Sequence, residues 1–161
     1  MKTLIIPDIH QRTRQVAITL SKEYYDEVVF LGDWFDSFYD PPDVTSFRDT
    51  CVFLRYLMLE HSERKKFVFL LGNHDTQYIY QNKASSRTKV VATPLYYCSG
   101  FTRTKAKQFR KEVYDKGLKD PLFTKTFKVA HKSQGILYSH AGVMMHHLKY
   151  GESVDSLVED V

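Results

Sequence analysis

Four short segments of this chain gather carboxylate, imidazole and amide donors at the ends of apolar runs. They are Asp8-Ile9-His10, Gly32-Asp33-Trp34-Phe35-Asp36, Gly72-Asn73-His74-Asp75 and Ser139-His140-Ala141-Gly142. In an extended segment residues i and i+2 point the same way, so Asp8 and His10 can face one ion together. Carboxylate, amide oxygen and imidazole make a hard-to-borderline donor set, suited to Mn, Fe, Zn or Mg rather than to thiophilic metals. Gly32, Gly72 and Gly142 let the backbone turn sharply beside such ions. The same residues have plainer roles open to them. Asp33 and Asp36 fit a loop after a strand, Asn73 and Asp75 fit a helix N-cap, and His140 fits a satisfied core histidine.

The elements before these segments must position them. Thr3 to Ile6 reads as a strand that stops at Pro7, and residues 13–25 carry Val16, Ala17, Leu20 and Tyr24 at helical spacing. Val28-Val29-Phe30-Leu31 is a β-branched and aromatic strand. Phe47, Cys51, Leu54 and Met58 then follow i, i+4, i+7, i+11, one face of an amphipathic helix. Phe67-Val68-Phe69-Leu70-Leu71 is a third strand. This βαβαβ order predicts a parallel sheet with helices packed on its faces. The carboxyl ends of parallel strands meet at the ligand crevice, so the first three segments should converge in space.

Beyond residue 100 the pattern loosens. Residues 103–116 read as a helix with Ala106, Phe109 and Val113 on one face and Gly117 as its stop. Residues 123–129 alternate loosely, and Ser133-Gln134-Gly135 reads as a turn into Ile136-Leu137-Tyr138, predicting an antiparallel hairpin between them. Ser153 is placed to cap a last helix carrying Val154, Leu157, Val158 and Val161.

With 161 residues, 43% hydrophobic and 26% charged, and no repeat or linker, the chain reads as a single domain over 1–161. No apolar run nears the roughly 18 residues of a membrane span, and Leu4-Ile5-Ile6 is too short for a signal peptide. The expectation is a cytoplasmic protein without a membrane partner. Cys51 and Cys98 are the two cysteines, too few and too far apart for a disulfide scaffold. A net charge of +4 suits an anionic substrate and only weakly supports a nucleic-acid partner.

The four segments resemble the calcineurin-like metallophosphoesterase family, whose motifs read D-x-H, G-D-x-x-D, G-N-H-[D/E], a later His and a final G-H-x-H. The first four stand here in that order, from residue 8 to residue 142. The resemblance implies an α/β fold, a metallophosphoesterase-like β-sandwich flanked by helices with a parallel βαβ start. It implies two divalent metal ions, Mn foremost with Fe, Zn or Mg as alternatives, and hydrolysis of a phosphate ester by metal-activated hydroxide. Asp8 and His10 would hold the first metal, Asp33 would bridge both, and Asn73 and His140 would hold the second. His74 would be the general acid that protonates the leaving oxygen, with Asp75 orienting it. Asp36 would stand behind the ligands, holding a histidine. The substrate would be a small molecule, a nucleotide or a phosphoprotein.

The chain also departs from the family pattern. No G-H-x-H follows residue 142, and His146-His147 has neither the glycine nor the spacing. The expectation is a C-terminally incomplete domain whose last two histidine ligands lie beyond residue 161, with a second subunit or a defective site as alternatives. Asp36-Ser37-Phe38 stands where the protein-phosphatase branch reads D-R-G, and Gln11 stands where the first motif usually continues with Gly.

The leading reading is a metal-dependent phosphoesterase. The alternative is a catalytically inactive member serving as a binding scaffold. A third reading, a nucleic-acid module using the basic run at 103–111, would show an affinity that falls steeply with salt. That run otherwise reads as a solvated helix face. His61, His131, His146 and His147 read as structural. Trp34, Phe35, Phe38 and Tyr39 read as packing residues, with base stacking as the alternative. Arg12 and Arg14 open the first helix, where cation and helix N-terminus together suit a phosphate.

Overall fold

The computed structural model describes residues 1–37, 44–60, 66–79, 98–114 and 126–141. Strands β1 (Thr3–Ile6), β2 (Glu27–Phe30), β3 (Lys66–Leu70) and β4 (Phe127–Lys128) form a parallel sheet in the order β1-β2-β3-β4. Helix α1 (Thr13–Lys22) precedes β2, and α2 (Phe47–Glu60) precedes β3. The strand order advances without reversal, so right-handed crossovers put both helices on one face.

Side chains alternate along a strand, and both faces of this sheet are covered. Val28 and Phe30 with Phe67 and Phe69 pack on Val16 of α1 and on Cys51, Leu54, Leu57 and Met58 of α2. Val29, Val68 and Leu70 point the other way and pack with Tyr138. Burial on both faces explains why β2 and β3 read as continuous apolar runs. The helix positions Phe47, Cys51, Leu54 and Met58 are all buried, as their spacing predicts. Ser46 caps α2, its hydroxyl accepting from Asp49 N at 3.1 Å.

The second face is covered not by a helix but by an antiparallel hairpin, β5 (Ala130–Ser133) and β6 (Ile136–Ser139), turning through Gln134 and Gly135 at φ of 52° and 76°. Among the described residues, α1 and α2 cover one face and this hairpin the other, where chain order had suggested helices on both. The hairpin's first strand is also corrected. Phe127 and Lys128 pair in parallel with β3 instead, because Phe127 buries its ring 6.0 Å from that of Phe69. The exposed Val129 separates the two strands. The result is a mixed α/β fold with a parallel sheet, as the resemblance implied.

Helix α3 (Asn73–Ile79) follows β3 directly. Helix α4 (Arg103–Phe109) starts at Thr102, whose hydroxyl accepts from Lys105 N, and widens into a π-helical turn over Arg110–Tyr114. The expected single helix over 103–116 thus changes character after Phe109, while Phe109 and Val113 stay buried together. Trp34 and Phe35 are fully buried in the aromatic core and cannot stack a substrate base. Phe38, Tyr39, His61, Gly117, Gly142, His146, His147 and the helix expected after Ser153 lie outside the described residues, as do residues 123–125. Among the described residues no helix is long and apolar enough to cross a membrane.

Candidate metal centre

The loops after β1 and β2 are zipped together. Ile9 N and His10 N both donate to the Asp33 carbonyl, at 3.1 and 2.7 Å, and Gln11 N donates to the Trp34 carbonyl at 3.0 Å. His10, Gln11, Asp33 and Asp36 all take left-handed backbone, at φ of 42°, 65°, 50° and 62°. Such conformations cost on the order of 1–3 kcal/mol each and cluster where function requires them. Gly32 and Gly72 let the loops after β2 and β3 touch: a Cβ on Gly32 would strike the Gly72 backbone, and one on Gly72 would strike the Asp33 carboxylate.

The four segments meet at this end of the sheet. Asp33 Oδ2 lies 3.8 Å from His10 Nε2 and 3.5 Å from His140 Nε2, while Asp33 Oδ1 accepts from His74 N at 2.9 Å. Asp8, exposed at the rim, places Oδ2 4.0 Å from His10 Nε2 and Oδ1 3.7 Å from His140 Nδ1. Asn73 turns Oδ1 to within 3.0 Å of His140 Nε2, its amide nitrogen donating to Cys98 Sγ at 3.2 Å. Donor atoms of Asp8, Asp33 and His140 all lie within 4.8 Å of one another.

Backbone carbonyls orient both histidines. His10 Nδ1 donates to the Phe35 and Asp36 carbonyls, each at 3.1 Å, and His140 Nδ1 donates to the Leu31 carbonyl at 3.0 Å. Each ring therefore turns Nε2 toward the Asp33 carboxylate, and that of His140 also toward Asn73 Oδ1. Two imidazole nitrogens, two carboxylates and an amide oxygen gathered this closely are the donor types that a divalent cation takes. The residues present fit a metal.

His74 and Asp75 part company. Asp75 is fully buried and accepts from Trp34 N at 2.8 Å and Gly72 N at 3.0 Å, so its carboxylate ties the second and third segments together. Burial pushes its carboxyl up to about 8 against the pull of the Gly72 N–H, with the Asp33 charge adding to the rise. The carboxylate at His74 Nδ1 is that of Asp36, at 3.4 Å. This corrects the expectation that Asp75 orients His74. The backbone carbonyl of Asp36 also accepts from His10 Nδ1.

Other residues of the site escaped the sequence reading. Asp36 accepts from Gln77 Nε2 at 2.6 Å, from Tyr78 Oη at 2.7 Å and from Lys105 Nζ at 3.0 Å. Gln77 and Tyr78 follow His74 by three and four positions, and that spacing on one helix face was the signal available. Lys105 carried no such signal. Gln11, in place of the usual glycine, uses its side chain to hold the loops: Nε2 donates to the Thr45 carbonyl at 2.8 Å and Oε1 accepts from Ser37 N at 3.3 Å. Arg12 is the N-cap residue of α1 and Arg14 is exposed on its first turn.

Neither curated proteins nor solved structures gave a match to this chain. A family model described as calcineurin-like phosphoesterase matches residues 1–157, and the chain belongs to that family, whose members hydrolyse phosphate esters with divalent metal ions.

Proposed function

We propose that this chain is a phosphoesterase with a binuclear centre held by Asp8, His10, Asp33, Asn73 and His140, and with His74 as general acid. The observation that supports it best is Asp33 Oδ2, set between His10 Nε2 and His140 Nε2 at 3.8 and 3.5 Å. Asp8 and His10 would hold one ion, Asn73 and His140 the other, and Asp33 would serve both. Bound there, two ions of Mn, Fe, Zn or Mg supply an activated water and neutralise charge on the phosphoryl oxygens.

The remaining work falls to the chain. The Leu31, Phe35 and Asp36 carbonyls keep the ligand rings in the tautomer that presents Nε2. With Nδ1 of His74 engaged by Asp36, Nε2 is the nitrogen that passes a proton to the leaving oxygen. Ser37 leaves the site without the phosphate-gripping arginine of the protein-phosphatase branch, which favours small phosphate esters or nucleotides over phosphoproteins.

The test is Mn²⁺-dependent hydrolysis of an aryl phosphate monoester and diester by the wild type and by Asp33→Asn. Turnover that needs the metal and is lost in the variant is expected, and the monoester-to-diester ratio assigns the substrate class. Turnover that survives chelation or Asp33→Asn contradicts the assignment. Metal binding without turnover would make the chain a scaffold.

A further inference from the structure

Lys105 belongs to a basic helix face, yet its ammonium turns inward and donates to Asp36 Oδ1 at 3.0 Å and to the Gly100 carbonyl at 2.7 Å. Asp36 is fully buried. Its Oδ1 also accepts from the Tyr78 hydroxyl, and its Oδ2 accepts from the Gln77 amide and faces His74 Nδ1. A buried carboxylate held by neutral donors alone is costly, and a cation at hydrogen-bond distance offsets that cost.

The segment around Lys105 is shaped to this contact. Thr102 caps α4 through Lys105 N, and Lys105 Nζ sits 5.6 Å from the centroid of the Phe47 ring. Gly100, at φ of 92°, packs against Asp36 so closely that a Cβ there would lie 2.9 Å from Asp36 Cβ. Cys98 N donates to Gln77 Oε1 at 3.0 Å, which fixes the amide that Gln77 offers to Asp36.

We propose that Lys105 is a positioning residue: it fixes Asp36, and through Asp36 the ring of His74, so that proton transfer to the leaving group is aligned. The inference rests on the reading of His74 as general acid. It predicts a defect that grows with the basicity of the leaving group, because a poor leaving group needs the proton and a good one does not.

The experiment compares kcat and KM for phenyl phosphate and 2,4-dinitrophenyl phosphate in the Mn²⁺-loaded wild type, His74→Ala, Lys105→Met and Lys105→Arg. Lys105→Met should lower kcat about tenfold or more for phenyl phosphate and less than about threefold for dinitrophenyl phosphate, with KM held and Lys105→Arg restoring most of the loss. If the Met variant does not fold, Lys105→Gln carries the same comparison. Equal losses on both substrates would reduce Lys105 to a structural role, and a raised KM with kcat intact would make it a substrate-binding cation; either overturns the inference. Leaving-group dependence in His74→Ala but not in Lys105→Met sinks the Lys105 inference alone. Its absence in both sinks the His74 reading, and this inference with it. Without turnover, the ring ¹⁵N resonances of His74 in metal-free protein should shift in Lys105→Met and return in Lys105→Arg; unchanged resonances contradict it.

Discussion

His140 Nε2 lies 3.0 Å from Asn73 Oδ1, and the opposite nitrogen of the same ring donates to the Leu31 carbonyl at 3.0 Å. The ring nitrogen and the amide oxygen thus stand together as two candidate metal ligands. His140→Ala removes one of them together with the contact to Asp33. The variant should fold and bind Mn²⁺ at least about 100-fold more weakly, beyond the loss typical of a residue that merely orients a ligand. Isothermal titration measures this directly. Thermal melts should agree, with the rise in Tm that metal gives the wild type absent from the variant.

Gly72 is the place where the third segment presses on the second. Gly72→Ala drives a methyl group into the Asp33 carboxylate and into the backbone beside it. The strain should cost about 2 kcal/mol in urea unfolding, as overpacking of a close contact does, and should displace Asp33. The variant is expected to lose metal affinity even where a folded population remains. Wild-type affinity in Gly72→Ala would show that the loop yields without moving the carboxylate.

Asp36 is a structural hub as well as the partner of His74. Asp36→Ala strips the acceptors from the Tyr78 hydroxyl and the Gln77 amide, both buried, and from Lys105. The expected loss is about 3 kcal/mol or more in urea unfolding, since partners of a removed buried charge are left unsatisfied.

Glu27 sits at the other end of the sheet, fully buried, with Lys66 Nζ at 2.8 Å and His131 Nε2 at 3.0 Å. Burial raises its carboxyl, but the bonds from Lys66, Ser133 and His131 outweigh that and hold it at about 2, below its ordinary 4.5. A depressed carboxyl stabilises the fold above its unfolded value and loses that contribution as pH falls through the folded one. In metal-free protein the stability gap between wild type and Glu27→Gln should therefore be full above pH 4.5, roughly 3 kcal/mol from the shift alone, and should close toward pH 2. Urea midpoints at pH 7, 4 and 2.5 measure it. A gap independent of pH would contradict the assignment.

The parallel core was legible because burial on both faces leaves a clear mark: Val28 to Leu31 and Phe67 to Leu71 are unbroken apolar runs. The convergence of Asp8, Asp33 and Asn73 followed from strand ends alone, whereas His140 was placed with them only by the family resemblance. The hairpin and its turn were read correctly, but its first strand was not, because residues on either side of Val129 alternate similarly and the pairing of Phe127 with Phe69 is a long-range contact. Adjacency misled the choice of partner for His74. On α3, residues 74 and 75 point about 100° apart, so Asp75 serves the strand loops while Asp36, 38 positions away in the chain, reaches the ring. Lys105 was hidden for the same reason, since an amphipathic helix marks lysine as solvated and its partner lies 69 positions away.

The central claim is that Asp33 joins two metal positions, and equilibrium dialysis against Mn²⁺ tests it with the fewest assumptions. Wild-type chain 1–161 should bind about two ions, and Asp33→Asn should lose affinity at both positions, because on the proposed reading its carboxylate would serve both. A wild type that binds a single ion, or an Asp33→Asn protein that keeps one position at full affinity, would contradict the binuclear centre.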